Sequence, residues 1–184
     1  MKFIETPLPG AWVIEPQEIE DERGWFARTF DAGEFRERGL NPDVVQCNAS
    51  FNHRAGTLRG MHYQAEPHGE SKLVRCVKGT IFDVAVDLHP GSSTYRHWHG
   101  MQLSAENRLA YYIPAGLAHG FQTLEDDTEV HYQMGNPYVP EAARGVRWDD
   151  PAFGIQWPEP DGERTISEKD ASYPDLQLRT RAGK

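Results

Sequence analysis

The sequence is dominated by short runs of β-forming residues that are separated by Gly, Pro, Asn and Asp. The clearest pair is residues 72–77 (KLVRCV) and residues 80–88 (TIFDVAVDL), with Lys78-Gly79 between them. We predict a β-hairpin with Gly79 in its turn, because glycine tolerates the backbone angles of tight turns. In the second run, large apolar side chains alternate with Asp and Ala. This alternation predicts one packed face and one face that lines a polar cavity.

The rest of the chain repeats this pattern. Further strands are predicted at residues 97–103, 109–113, 120–123 and 128–134, and many short strands at such spacing are typical of a sandwich or barrel. Helical signals are few: we expect a short helix over residues 31–38, capped by Asp31, and another opening at residues 167–170. The prediction is a single all-β domain spanning residues 1–184, with a polar tail that frays from about residue 176.

Charge and composition restrict the class of partner. The chain has 184 residues and a formal net charge of -9, whereas a nucleic-acid or anionic membrane surface would need a broad basic face. No apolar run is long enough to span a bilayer, and the first residues lack the apolar segment of a signal peptide. We expect no nucleic-acid or membrane partner and a cytoplasmic protein, in which Cys47 and Cys76 are free thiols.

One segment concentrates cations and a proton-transfer group against this acidic background. Arg59 and His62 lie in the run RGMHYQ, and Lys72 follows closely, which predicts a local site for a small anionic substrate. His119 ends the run PAGLAH, where a proline–glycine turn would aim the imidazole from a strand end into a barrel mouth. The alternative is that both histidines are hydrogen-bonded groups of a barrel wall.

Metal binding is a second possibility for a small barrel. Such sites use two His separated by one residue, then a Glu and a further His. His62 has no second His two residues on, and His68 and Glu70 lie in a loop that contains Gly and Pro. His97 and His99 have the spacing but no carboxylate nearby, so we predict an exposed strand face there. We therefore expect no metal and no cofactor.

Two other kinds of chemistry find little support. No Gly-x-Ser-x-Gly elbow and no glycine-rich phosphate loop occur, so a bound phosphate must be held by side chains, to which the arginine fork is suited. Tyr132 and Tyr138 follow each other on a predicted strand and its turn. Their spacing favours packing groups over proton donors, because tyrosines in sheets are usually packed with a hydrogen-bonded hydroxyl.

Several motifs in order resemble one family, the dTDP-4-dehydrorhamnose 3,5-epimerases. They include RGMHYQ at residues 59–64, KLVR at 72–75, FDVAVDL at 82–88, PAGLAHGF at 114–121 and SEKD at 167–170. The resemblance covers most of the chain. It implies a cupin-type jelly-roll barrel, a homodimer, and metal-free chemistry on a nucleotide-linked 4-keto-6-deoxy sugar.

The resemblance also implies roles for individual residues. His62 would be the catalytic base, Asp170 its partner, and Tyr132 the acid on the opposite sugar face, against the packing role that spacing alone favours. Asp83 would assist substrate binding by pairing with His119. The residues that would contact substrate are Arg23, Phe26, Gln46, Asn48, Arg59, Lys72, His119, Tyr138 and Lys169.

Three positions depart from the family pattern. Arg28 stands where Glu is usual, Ala143 where Glu is common, and Gln133 where Lys is frequent. The expected function is epimerisation at carbon 3, carbon 5 or both, with the nucleotide unspecified. The alternatives are a metal-dependent cupin oxygenase or isomerase, and a non-catalytic barrel that binds sugar nucleotides.

Overall fold

A computed structural model describes residues 1–176, in which short strands dominate and only two short α-helices occur. The helices are α1 (Ala32–Glu37) and α2 (Glu168–Ala171). The strands are β1 (Lys2–Glu5), β2 (Trp12–Glu15), β3 (Glu18–Asp21), β4 (Gly24–Ala27), β5 (Gln46–Asn52), β6 (Thr57–Gln64), β7 (Lys72–Lys78), β8 (Thr80–Asp87), β9 (Trp98–Ser104), β10 (Ala110–Ile113), β11 (Leu117–Thr123), β12 (Thr128–Met134), β13 (Ala143–Gly145) and β14 (Thr165–Ile166).

Two sheets form the barrel. The first has the strand order β1-β2-β10-β7-β12-β5, and the second has the order β13-β6-β11-β8-β9, with β14 parallel to β6. Strands β3 and β4 form a separate two-stranded hairpin. The prediction of an all-β, cupin-type fold with a few short helices is confirmed.

The predicted hairpin across Gly79 is wrong. Strand β7 pairs with β10 and β12 in the first sheet, whereas β8 pairs with β11 and β9 in the second. Gly79 has a positive φ of 74°, and a Cβ at this position would overlap Thr128. The chain therefore crosses from one sheet to the other at Gly79. A tight glycine turn serves a crossover as well as a hairpin, and strands distant in sequence decide which one forms.

Both faces of β8 are buried, so the predicted polar cavity face is also wrong. Ile81 belongs to the core between the two sheets, while Val84 packs on the outside of the second sheet with Trp157. Asp83 is fully buried within the barrel and shares a hydrogen bond with His119. Its carboxylate therefore lies behind the site and does not line an open cavity.

The two helices begin where the sequence predicts. The Asp31 side chain accepts hydrogen bonds from the first backbone N–H groups of α1, and the Ser167 hydroxyl accepts one from the N–H of Asp170. Helix α1 covers the outer face of the first sheet by burying Phe35, whose ring meets Tyr112 edge-on at 5.6 Å. Helix α2 is short, and its importance lies in the position that it gives to Asp170.

The histidine pair at residues 97 and 99 differs from the prediction. His97 is exposed and precedes β9, but His99 is half-buried and its Nδ1 lies 3.2 Å from the Tyr111 hydroxyl in the barrel interior. The exposed face predicted for His99 is therefore wrong. His119 also differs, because β11 begins at Leu117 and places His119 inside the strand.

The C-terminal segment returns to the barrel. Leu176 packs against the apolar cluster outside the second sheet, and its N–H donates to Asp150. The remainder of the predicted tail lies outside the described residues. Within residues 1–176, no helix has both the length and the apolar character needed to cross a membrane.

Candidate active site

A cavity of about 360 Å³ opens in the barrel and is lined by strands of both sheets and by the segment around α2. It brings together most of the residues predicted for the site. These are Gln46, Asn48, Arg59, His62, Lys72, His119, Tyr132, Tyr138, Lys169 and Asp170.

His62 and Asp170 form the predicted pair. His62 Nε2 lies 2.7 Å from Asp170 Oδ1, and the other carboxylate oxygen accepts a hydrogen bond from the N–H of Gly60. Burial raises the pKa of Asp170, but the hydrogen bonds and charge of His62 and Gly60 outweigh it, so the pKa lies below its usual value. Asp170 is therefore an ionised partner that fixes the orientation of the imidazole through the hydrogen bond to its Nε2.

The strand geometry around His62 departs from simple alternation. Arg59 and His62 are three residues apart on β6, which in a regular strand puts side chains on opposite faces, yet both line the cavity. The register between β6 and β11 shifts between His119 and Phe121, and such an irregularity re-aims side chains. Gly60 makes the shift possible, because a Cβ there would overlap the backbone of β11.

His119 is the cross-strand partner of His62. Its Nε2 lies 2.8 Å from Oδ2 of Asp83, as predicted, and both side chains are buried. Burial raises the pKa of Asp83, and the neighbouring His119 and Lys72 offset this only in part. The cavity thus has two His–carboxylate pairs on adjacent strands, of which only the His62 pair is substantially open.

Tyr132 enters the cavity from β12 of the first sheet. Its hydroxyl lies 2.9 Å from Ser50 Oγ, and its ring meets His119 edge-on at 6.3 Å. Burial raises the pKa of Tyr132 well above its usual value, although the Ser50 hydrogen bond acts in the opposite direction. The phenol is therefore protonated at neutral pH, and its ring lines the cavity.

Lys72 is almost fully buried at the base of the cavity. Its Nζ donates to the His62 carbonyl oxygen and lies 3.1 Å from Glu70 Oε1, and both side chains are about 8% exposed. This ion pair fixes the ammonium group beside the backbone of the proposed base. Lys72 is therefore paired with a carboxylate, Glu70, just as His62 is paired with Asp170.

The edge strand β5 presents a row of polar side chains to the barrel interior. Gln46 donates to Asn48 at 3.2 Å, Ser50 meets Tyr132, and Asn52 accepts from Arg59 Nε at 2.8 Å. These residues are spaced by two, so they share one face of the strand. The row orients the groups that surround the cavity.

The predicted residues Arg23 and Phe26 do not line this cavity. They lie on the hairpin of β3 and β4, where Arg23 pairs with Asp21 in the turn and Phe26 is 71% exposed. Asp83 does not line the cavity either, since it lies behind His119. In residues 1–176, no three His, Cys, Asp or Glu side chains are close enough together to hold a metal ion.

Sequence reasoning missed several lining residues. Ser50, Glu70, Arg144 and Tyr173 all line the cavity. Polar alternation along residues 46–52 was the available signal for Ser50. Tyr173 had no local signal, because it reaches His62 only through the fold, with ring centroids 6.2 Å apart.

The three departures from the family pattern lie in different places. Arg28 pairs with Asp31 at 2.9 Å outside the cavity, and Gln133 has a buried side-chain oxygen without a hydrogen-bond partner in the described part of the chain. Ala143 alone lines the cavity. The change from Glu to Ala is therefore the departure that alters the site directly.

Comparison with known proteins agrees with this geometry. The family model described as dTDP-4-dehydrorhamnose 3,5-epimerase matches residues 5–177. A dTDP-4-dehydrorhamnose 3,5-epimerase from Methanothermobacter thermautotrophicus is 49% identical over 178 residues, which cover 96% of this chain and 95% of the relative.

Solved structures lead to the same family. The dTDP-4-dehydrorhamnose 3,5-epimerase from Elizabethkingia anophelis superposes with a TM-score of 0.92 at 41% identity, covering 96% of each chain. A 3′-monoepimerase from Streptomyces bikiniensis in complex with dTDP-quinovose gives a TM-score of 0.85 at 37% identity, covering 93% of this chain and 87% of that one. The chain belongs to the dTDP-4-dehydrorhamnose 3,5-epimerase family of isomerases.

Proposed function

We propose that this protein inverts carbon 3, carbon 5 or both of a nucleoside-diphosphate 4-keto-6-deoxyhexose by proton transfer between His62 and Tyr132. The observation that carries the proposal is the placement of these two groups. The His62–Asp170 pair enters the cavity from one sheet, and the protonated Tyr132 enters it from the other. Inversion at carbon needs a base on one face of the substrate and an acid on the other.

The base acts at a carbon made acidic by the neighbouring ketone. Asp170 occupies Nε2 of His62, which leaves Nδ1 to accept the substrate proton. The ionised carboxylate stabilises the imidazolium that forms. Reprotonation by Tyr132 from the opposite face then inverts the centre.

Lys72 supplies the fixed positive charge that this reaction needs. Removal of the proton moves negative charge onto the ketone oxygen, and a preorganised cation lowers the energy of that enolate. The contacts of Lys72 with Glu70 and with the His62 carbonyl hold its Nζ in one place. His119, held by Asp83, also lines the cavity and is a further candidate hydrogen-bond donor.

Cationic side chains around the cavity suit an anionic substrate. Arg59 and Lys169 line it, and Arg59 is oriented by the neutral Asn52. They can therefore bind phosphate oxygens of the diphosphate, which Arg does in a bidentate manner. Tyr138, 54% exposed, offers a flat aromatic surface for the nucleobase, with Gln46 and Asn48 beside it.

A homodimer would account for Arg23 and Phe26. The hairpin of β3 and β4 exposes large apolar side chains, with Ile19 at 70% and Phe26 at 71%, and exposed apolar patches mark interaction surfaces. We propose that the hairpin of one protomer reaches the cavity of its partner, where Arg23 and Phe26 contact substrate. The enzyme is proposed to act in the cytoplasm, where nucleotide sugars are made.

Mixing two inactive variants tests this arrangement. An Arg23→Glu chain and a His62→Ala chain, combined as hybrid dimers, should regain activity because one site then has both an intact base and an intact partner hairpin. If Arg23 acts in its own chain, the mixture stays inactive. A solution mass equal to one chain would contradict the dimer itself.

The activity is tested by incubation with dTDP- and CDP-4-keto-6-deoxyglucose in deuterated water, followed by NMR. We expect deuterium at carbon 3, at carbon 5 or at both, with inversion at the labelled centre. The same spectra show which nucleotide is preferred. Absence of label at both carbons, with either substrate, would contradict the proposed function.

A further inference from the structure

We propose that Ser50 positions Tyr132 and passes solvent protons to it between turnovers. This proposal rests on the proposed function, since it concerns how the acid of that reaction is held and reloaded. Ser50 was not among the residues that the sequence or the family resemblance indicated. It is found through its contact with Tyr132, whose hydroxyl lies 2.9 Å from Ser50 Oγ.

The strand register explains why the two hydroxyls meet. On the paired strands β5 and β12, Ser50 lies opposite Val130 and Tyr132 lies opposite Asn48. Ser50 and Tyr132 are thus diagonal neighbours on the same face of the sheet, within reach of a long side chain. The contact is built into the sheet and does not depend on a loop.

Ser50 is the polar side chain in direct contact with the Tyr132 hydroxyl at the cavity wall. The Tyr132 ring packs against Phe121 and His119, with centroids 6.3 Å away in both cases, and the Tyr132 hydroxyl has no other hydrogen-bond partner within residues 1–176. Ser50 is only half-buried and lines the cavity. A serine hydroxyl can donate and accept at once, so it can connect the phenol to the solvent of the cavity.

The proton balance of the reaction requires such a connection. When Tyr132 protonates the substrate carbon, its O–H bond breaks, a C–H bond forms and a phenolate is left. Ser50 then gives its hydroxyl proton to the phenolate and takes one from hydronium in the solvent. His62 releases to solvent the proton that it took from the substrate, so each turnover consumes and returns one solvent proton.

Holding the phenol is the second part of the role. A hydroxyl that is fixed by a hydrogen bond points its proton in one direction, and a misaligned acid transfers protons slowly. Without Ser50, the Tyr132 hydroxyl would lose its hydrogen-bond partner and rotate freely at the cavity wall. The base side of the reaction, at His62 and Asp170, would be unaffected.

Ser50→Ala tests this role when the variant is incubated with substrate in deuterated water. We expect inversion to slow by about fivefold to tenfold, the equivalent of one neutral hydrogen bond, while deuterium exchange with retained configuration continues at the wild-type rate. Deuterium exchange with retained configuration depends only on proton removal and return by His62. Ser93→Ala, an exposed serine in the loop after β8, is the matched control and should match the wild type in both measurements.

A pair of isosteric variants keeps the test valid if Ser50→Ala folds poorly. Ser50→Thr keeps the hydroxyl and should retain inversion, whereas Ser50→Val has the same shape without it and should be as slow as Ser50→Ala. Equal inversion rates for Thr and Val, or a parallel loss of inversion and exchange, would overturn the proposal. Lack of exchange in the wild-type protein would instead overturn the proposed function.

Discussion

His62 on β6 and Tyr132 on β12 belong to different sheets of the barrel, yet both side chains line the same cavity. Each has one polar partner that defines its state: Asp170 holds His62, and Ser50 holds Tyr132. The pKa of Asp170 lies below its usual value, whereas burial raises the pKa of Tyr132. The proposed base and the proposed acid therefore enter the cavity from different sheets, each with its own polar partner.

Replacement of His62 by Ala should abolish most deuterium exchange, because no other group then removes the substrate proton. The expected loss is about a hundredfold to ten-thousandfold, as for other general bases. His97→Ala is a suitable control, since His97 is exposed and lies before β9. Exchange at the wild-type rate in His62→Ala would mean that another residue is the base.

Asp170→Asn should change stability in a way that depends on pH. The pKa of Asp170 lies below its ordinary value of 3.8. A carboxyl with a depressed folded-state pKa stabilises the fold above that ordinary value, and the contribution is lost as pH falls through the folded pKa. The wild type should therefore exceed Asp170→Asn in free energy of unfolding above pH 3.8, and the difference should shrink at lower pH.

Denaturant titrations at several pH values measure this difference, with exposed Asp161→Asn as the control. A difference that does not change with pH would show that Asp170 contributes through packing alone. In the exchange assay, Asp170→Asn should lose less activity than His62→Ala, because the imidazole remains but is poorly oriented.

Substitutions at Gly145 and Tyr173 should have non-additive effects on stability. A Cβ at Gly145 would overlap the ring of Tyr173, which also packs against His62. Gly145→Ala should therefore lower the melting temperature and raise KM, since the displaced ring forms a wall of the cavity. The same change in a Tyr173→Ala background should cost much less stability, because the overlapping atoms are gone. Additive effects of the two substitutions would contradict this coupling.

The local signals in the sequence predicted local structure well. Strand β12 has the bounds that alternation predicts at residues 128–134, and Asp31 and Ser167 cap the helices as expected. Pairing between strands was not predictable from Gly79, because a positive-φ turn also fits a crossover between sheets. The crossover forms because β7 pairs with strands of one sheet and β8 pairs with strands of the other.

Site residues of a distinctive type could be predicted from the sequence. Those that reach the cavity only through contacts between distant segments could not. The residues themselves indicated His62, and the resemblance added Asp170 and the acid role of Tyr132; the structure brings all three to one cavity. Strict alternation would have separated Arg59 from His62, and only the register shift against β11 brings them together. Ser50 had only the polar alternation of residues 46–52 as a signal, and Tyr173 had none, because the fold alone brings it to His62.

Tyr132→Phe separates inversion from deprotonation, because it removes the proposed acid and leaves the proposed base. The phenyl ring should keep its packing against His119 and Phe121, so the melting temperature should change little. His62 should still remove a proton and return deuterium to the same face of the sugar.

The decisive measurement is the NMR spectrum of substrate incubated with Tyr132→Phe in deuterated water. We expect deuterium in the sugar with retained configuration, while net epimerisation falls by about a hundredfold or more. Epimerisation at the wild-type rate would show that Tyr132 only packs in the barrel, and Tyr138 would then be the next candidate for the acid.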